Sequence, residues 1–260
     1  MSSARNCRNC NAIVPDGHHY CGRCGASHNE NGLGAENETL FFGAMQAPGR
    51  AKLILIKGEG LEGLSYHLNA TEHVAGRSVG AILFPEDEYL SAKHASFIYR
   101  DNKLYLRDEA SANGTFVRIR SSHVLKDGDH FMVGEQLFRL QRLDLEREYP
   151  MREQTLMYIS PPRDYKFRIV HVLAGGKPGA AYCSPNNDLV IGREGADVLF
   201  ADDRHISRQH ARVSFENDQV VLSDMDSKNG TFLRLQNEHP MEHGDYVCFG
   251  SELMRVEINA

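Results

Sequence analysis

The sequence predicts a mainly β protein built from two copies of one unit. Three observations carry this. Short apolar runs, such as 189–191, 211–215 and 220–222, alternate with polar turns, the pattern of strands joined by loops. Three motifs recur at one offset (192 − 76 = 116): Gly76-Arg77 and Gly192-Arg193, Ser91-x-x-His94 and Ser207-x-x-His210, Asn113-Gly-Thr-Phe and Asn229-Gly-Thr-Phe. The loops of the second copy hold Arg193, Ser207, Arg208, Lys228 and Asn229, with no nucleophile-plus-base set beside them. Such donors on a stiff β scaffold suggest an anion-binding surface, with phosphate the natural anion.

The duplication extends well beyond the motifs. Gly128-Asp129 and Gly134 match Gly244-Asp245 and Gly250, Tyr66 falls on Tyr182, and Leu106 on Leu222. A constant offset across so many loops means a unit copied without insertions, from about Lys52 to Leu140 and again from Arg168 to Val256. The period is far above the ~20–50 residues of solenoid repeats, so the unit is a domain. Within it, Gly58-Glu-Gly60-Leu-Glu-Gly63 matches a dinucleotide fingerprint. That site needs a following helix. Here the short strand Ser65 to Leu68 follows, and the second copy puts Pro178 at the helix start, so both are read as hairpin loops.

Composition limits the function classes. The 260 residues carry a formal net charge of −6, which argues against a broad nucleic-acid or membrane surface. No apolar run approaches the ~18 residues of a membrane span. Met1 to Asn11 is polar, contains Arg5 and Arg8, and lacks the apolar core of a secretory signal, so a cytoplasmic chain is expected. The P-loop, H-E-x-x-H, G-x-S-x-G and kinase motif sets are missing, so the chain is read as a non-enzyme.

Residues 1–27 form a separate segment. Cys7-x2-Cys10 and Cys21-x2-Cys24 give C-x2-C-x10-C-x2-C. Four thiolates in two close pairs suit tetrahedral Zn²⁺ with no position left for water, a structural site. Two disulfides are the alternative, disfavoured in a reducing compartment. The spacing resembles short bacterial zinc ribbons, which implies a docking module or a structural cap. Residues 28–50 and 142–164 are read as linkers, flanking domains at 51–141 and 165–260. The duplication also includes Glu38-Thr39-Leu40 and Gln154-Thr155-Leu156. Two readings stand for these segments. One is an apolar staple packing on each domain. The other is a phosphorylated Thr39 or Thr155 read by the protein's own loops.

Gly-Arg, Ser-x-x-His and Asn-Gly-Thr at these separations resemble the forkhead-associated (FHA) domain. The resemblance implies two β-sandwiches in tandem whose loops bind phosphothreonine peptides. It also implies roles. Arg193 and Ser207, and Arg77 and Ser91, contact phosphate. Asn229 and Asn113 hold the peptide main chain, while His210 and His94 are structural. Arg208 and Lys228 add charge where the first copy has Ala92 and Ala112, or are ordinary solvated cations; Lys93 is a further candidate in the first copy. The first site is therefore either a weaker binder or a degenerate copy. Specificity beyond the phosphate is assigned to loop side chains such as 198–204. Cys183 and Cys248 lie in strand-like runs and are read as buried thiols.

The implied function is a phosphothreonine-reading adaptor. Its expected partners are Thr-phosphorylated proteins and a Ser/Thr kinase, with avidity for doubly phosphorylated targets. The alternative is a nucleic-acid-associated regulator that contacts DNA or RNA through the zinc ribbon.

Overall fold

The computed structural model describes residues 5–7, 13–14, 50–58, 62–143 and 164–259. Cys10, Cys21, Cys24, Thr39, Thr155 and most of both linkers lie outside the described residues. In the N-terminal unit, β1 (Arg5–Asn6) pairs antiparallel with β2 (Ile13–Val14), in register Arg5↔Val14. Buried Cys7 directly follows β1.

From residue 51 the described elements are β strands, with one short 3-10 turn at Ala174–Gly176. The first copy supplies β3 (Ala51–Lys57), β4 (Ser65–Leu68), β5 (Glu72–Gly76), β6 (Ile82–Leu83) and β7 (Ala95–Arg100). It continues with β8 (Lys103–Asp108), β9 (Thr115–Arg118), β10 (His123–Leu125), β11 (His130–Val133) and β12 (Gln136–Arg142). The second copy supplies β13 (Phe167–Val172), β14 (Pro178–Tyr182), β15 (Asp188–Gly192), β16 (Val198–Leu199) and β17 (Ala211–Glu216). It ends with β18 (Gln219–Asp224), β19 (Thr231–Arg234), β20 (His239–Met241), β21 (Tyr246–Phe249) and β22 (Glu252–Ile258). The turns follow the sequence. Asp101-Asn102 and Asn217-Asp218 close two-residue hairpins with positive φ at both positions, a geometry Asn and Asp tolerate. β3–β4 and β13–β14 are antiparallel hairpins, so the glycine-rich loops lead into strands as expected.

The pairing divides the chain differently from the repeat boundaries. The first sandwich takes β3 to β9 from the first copy, but its closing strands β20, β21 and β22 come from the second: β20 pairs with β8, β21 with β9, and β22 with β3. Reciprocally, β10 pairs with β18, β11 with β19, and β12 with β13. The two copies have exchanged their C-terminal strands. Five-stranded sheets, β20-β8-β7-β5-β6 and β10-β18-β17-β15-β16, cover a ten-stranded sheet that runs through both sandwiches, joined where β9 pairs with β19.

The cores show the same exchange. β3 turns Ala51, Leu53 and Leu55 inward and β22 turns Met254 and Val256 inward, the period-two pattern of a half-buried strand. Phe249 of the second copy sits among rings of the first, 6.3 Å from Phe84 and 6.4 Å from Phe97. In the other sandwich Phe138 of the first copy stacks on Phe131 at 5.4 Å and meets Phe200 edge-on at 5.8 Å. Truncating one buried Phe costs ~3–5 kcal/mol, so each sandwich depends on rings lent by the other copy. Cys248 and Cys183 are half-buried rather than fully buried. Burial still pushes the Cys248 thiol up to about 12, which leaves it unreactive.

The exchange predicts how a cut chain behaves. A protease site placed between residues 150 and 160 and cleaved should yield two fragments that co-elute at the volume of the uncut chain until denaturant is added. Fragments that separate under native conditions would show that each copy closes its own sandwich.

Candidate functional site

Each sandwich gathers its motif residues on three loops at one end: after β5, before β7, and between β8 and β9 in the first copy. The second copy uses the equivalent loops around β15, β17, β18 and β19. The glycine before the arginine is required by close approach. A Cβ on Gly76 would lie 2.3 Å from the Ala92 carbonyl oxygen, and one on Gly192 would lie 2.0 Å from that of Arg208. The same proximity lets the N–H of Arg77 donate to the Ser91 carbonyl, and that of Arg193 to the Ser207 carbonyl, at 3.0 Å each. Arginine and serine are thereby held side by side in both copies.

The serine hydroxyls brace the opposite loop. Ser91 Oγ accepts the N–H of Ala112 at 3.0 Å, and Ser207 Oγ accepts that of Lys228 at 3.1 Å. Asn113 Nδ2 donates to the Tyr89 carbonyl and Asn229 Nδ2 to the His205 carbonyl, at 2.8 Å each. Asn, Ser and Arg therefore converge, as the motif spacing predicts.

His94 and His210 are fully buried behind these loops. Nδ1 of each accepts the N–H of Ser91 or Ser207 at 3.1 Å, so the proton sits on Nε2. Nε2 then donates to the carbonyl of Gly114 at 3.2 Å or Gly230 at 3.1 Å. One neutral imidazole thus ties two site loops together. Burial lowers both pKa values.

Sequence reasoning missed a second tier. Asp108 accepts the N–H and hydroxyl of Ser111 and the hydroxyl of Thr115, and Asp224 does the same for Ser227 and Thr231. Ser111 and Ser227 in turn accept the N–H of Gly114 and Gly230 at 2.9 Å. Burial would raise the Asp224 carboxyl, but the bonds from Ser227 and Thr231 outweigh it and lower the pKa. The only signal in the sequence was recurrence at offset 116, which marks these residues no more than many others.

Each site also leans on the other copy. Buried Asp87, in the Ser91 loop, accepts the N–H of Ser251 at 2.7 Å from the β21–β22 turn. Buried Asp203, in the Ser207 loop, accepts the N–H of Glu135 at 2.9 Å and Gln136 Nε2 at 2.8 Å. Gly114 and Gly230 have φ of 84° and 83°, and a Cβ on either would lie 2.1 Å from Nε of Arg234 or Arg118, an arginine of the opposite copy. A cleft of about 720 Å³ beside the second site mixes both copies, with Arg118 and Arg120 facing Asp224, Asp226 and Tyr246.

The cations differ between the sites. Arg77 and Arg193 are exposed and have no partner among the described residues, and the same holds for Lys228. Arg208 meets Glu194 at 3.1 Å, both well exposed, a pairing worth little. Lys93 is not available in the same way: it pairs with half-buried Glu109 at 2.9 Å. Burial works against that carboxylate, but Ser96, Lys93 and Arg107 together hold its pKa down at about 2. Among the described residues no group of metal-binding side chains is present.

The FHA domain family model matches residues 73–134 and 189–250, which contain every motif residue of both sites. The oxoglutarate dehydrogenase inhibitor of Corynebacterium efficiens is 31% identical over 109 residues, 41% of this chain and 75% of that protein. The protein of the same description from Corynebacterium diphtheriae is 32% identical over 113 residues, 43% of this chain and 76% of that one. The glycogen accumulation regulator GarA of Mycobacterium tuberculosis is 34% identical over 108 residues, 41% of this chain and 65% of that one.

The histidines give a pH prediction. Their folded-state pKa values lie below the ordinary ~6.5, so they stabilise the fold above pH ~6.5 and lose that contribution as pH falls through the lowered values. The melting temperature should drop as pH falls below ~6.5, and a His94→Gln/His210→Gln variant should show a shallower dependence. An unchanged slope would show that these rings do not carry it.

Proposed function

The chain belongs to the FHA-domain family, and on that premise we propose that it is a non-enzymatic phosphothreonine-reading adaptor acting downstream of a Ser/Thr kinase. The observation that carries this is the juxtaposition of an exposed, unpartnered Arg193 with Ser207, locked by the Arg193 N–H bond to the Ser207 carbonyl at 3.0 Å. A phosphate brings about −1.5 to −2 charge and three acceptor oxygens. A guanidinium, a hydroxyl and Lys228 at one spot supply charge-assisted bonds that bare threonine cannot take up.

Arg193 and Ser207 are proposed to bind the phosphate, Arg208 and Lys228 to add charge, and Asn229 to hold the peptide main chain. Arg77, Ser91 and Asn113 play the same parts in the first site. That site is weaker, because Ala92 and Ala112 offer no side-chain donor and Lys93 is spent on Glu109. The relatives' names, an enzyme inhibitor and an accumulation regulator, fit control of partner proteins by binding. Thr39 and Thr155 are proposed as internal phosphorylation sites for the same pockets.

We also propose that Cys7, Cys10, Cys21 and Cys24 hold a structural Zn²⁺. The β1–β2 ladder brackets the first cysteine pair, and buried Cys7 sits at its base. The ion would supply folding energy to a segment with little apolar core.

Two measurements test these readings. On titration with a phosphothreonine peptide that the wild type binds, Arg193→Ala should weaken the second site about 10- to 100-fold, the loss of one or more bonds to a charged group. Arg77→Ala should affect the first site alone. Equal affinity for phosphorylated and unphosphorylated twins across a broad panel would overturn the reading. Elemental analysis of the purified chain should find about one zinc per chain, lost on Cys21→Ser.

A further inference from the structure

Resting on the phosphothreonine reading, we infer that the partner this chain fits is a two-fold-symmetric homodimer presenting one phosphothreonine segment on each subunit. The two sites grip both subunits of one such dimer at once.

A rotation relates the two sites. At the crossing, Phe116↔Arg234 and Arg118↔Phe232 are reciprocal pairs around Val117↔Leu233. The next bonds are reciprocal too: Ile119 N–H donates to the Thr231 carbonyl at 2.9 Å, and Leu235 N–H to the Thr115 carbonyl at 2.8 Å. Farther out, His123↔Leu222 matches His239↔Leu106, and Leu140↔Ile169 matches Val256↔Leu53. Behind the serine loops, Ser251 N–H donates to Asp87 at 2.7 Å and Glu135 N–H to Asp203 at 2.9 Å. Halves that exchange contacts in this way obey a two-fold axis, as an isologous dimer does. A segment bound at one site is therefore carried onto the other by a half-turn. Successive motifs on one extended chain are related by a shift along it. They enter both sites in the same sense only if the chain doubles back. The subunits of a symmetric dimer already have the required relation.

The sites also lie within reach of one partner. Lys57 ends β3 and Glu135 lies in the β11–β12 turn, and β3 and β11 are five strands apart in the ten-stranded sheet. On a flat sheet that separation is about 24 Å. Lys57 Nζ nevertheless lies 3.2 Å from Glu135 Oε1 and 3.4 Å from His205 Nε2, and His205 Nε2 lies 3.3 Å from Glu135. The twist of the sheet has brought these two corners together. His205 belongs to the Ser207 loop, so that loop touches the cluster directly. Lys57 pairs with Leu253, two residues from the Ser251 that Asp87 of the Ser91 loop holds. Both serine loops therefore approach one edge, joined by a short run of bonds. As energy these exposed ion contacts contribute little. As geometry they fix where the loops stand. The separation of the sites is set by interlocked strands and not by the linker, so no affinity is lost to ordering a tether.

The test uses the full-length chain and a phosphothreonine peptide that it binds, each form having an unphosphorylated twin. The peptide is supplied alone, as a head-to-tail tandem in one chain, or fused to a two-stranded parallel coiled coil that displays two copies about a two-fold axis. The tandem and the coiled-coil fusion carry matched Gly/Ser linkers of about 5 to 20 residues. We expect the coiled-coil form to bind as one dimer per chain, about 10- to 100-fold tighter than the lone peptide. Either Arg77→Ala or Arg193→Ala should remove that gain and leave single-site binding at the other pocket. The tandem should gain only with the longer linkers, where it can double back. No gain from the coiled coil at any linker length, or an equal gain from the tandem at the shortest, would overturn the inference while leaving the phosphothreonine reading intact. No dependence on phosphate in any form would overturn both.

Discussion

The antiparallel pairing of β9 with β19 is the contact on which the rest of the molecule depends. Leu233 opposes Val117 at its centre, flanked by Phe232 opposite Arg118 and Arg234 opposite Phe116. Leu233 and Val117 are the same position in the two copies, so this pair lies on a local two-fold axis. It turns two five-strand half-sheets into one ten-stranded sheet and places each copy's following strands beside the other copy. The backbone bonds continue past the strands, from Ile119 N–H to the Thr231 carbonyl and from Leu235 N–H to the Thr115 carbonyl. Four residues then carry the chain across on each side. Exchange of an equivalent element between partners is a low-cost rearrangement, because nearly every native contact is preserved. Here the partners are two halves of one chain, and closure is complete within it.

The exchange makes the sandwiches mutually dependent. Neither core is complete without rings from the opposite copy, so stability is shared across the described strands β3 to β22. The sites share in this. Asp87 and Asp203 fasten the serine-bearing loops to the turns of the borrowed hairpins, and those turns leave little room for a Cβ: on Gly250 it would lie 2.3 Å from Asp87, and on Gly134 2.4 Å from Ile206 and 3.0 Å from Asp203. Arg120 closes the arrangement at the crossing by binding Asp245 and Glu242. A phosphate-reading loop gains from such support. Its donors must be in place before the ligand arrives, because ordering them on binding would consume part of the affinity.

The fold class, the number of sandwiches and the positions of the site loops were legible in the sequence, since each rests on local chemistry. Alternation of period two wrote the strands, Asn and Asp wrote the hairpins, and the Gly-Arg, Ser-x-x-His and Asn-Gly-Thr motifs wrote the loops. The Lys93–Glu109 ion pair was not legible, because Glu109 lies sixteen positions away and carries no motif. The aspartate tier at Asp108 and Asp224 was missed for the same reason: a buried carboxylate is recognised by the donors around it, and those come from three different loops.

What the sequence alone determined is the unit: its strands, its turns and its loop motifs, each written in local chemistry. What only the tertiary structure decided is which copy's last strands complete which sandwich. The two hairpins descend from one ancestor and present equivalent apolar faces, Val247, Phe249 and Met254 against Phe131, Val133 and Phe138. Both faces are apolar with the same period-two alternation, so the hydrophobic pattern alone does not distinguish the two closures. The choice is made by the chain's path through β9 and β19, where two strands that would each have ended a sheet pair with one another instead.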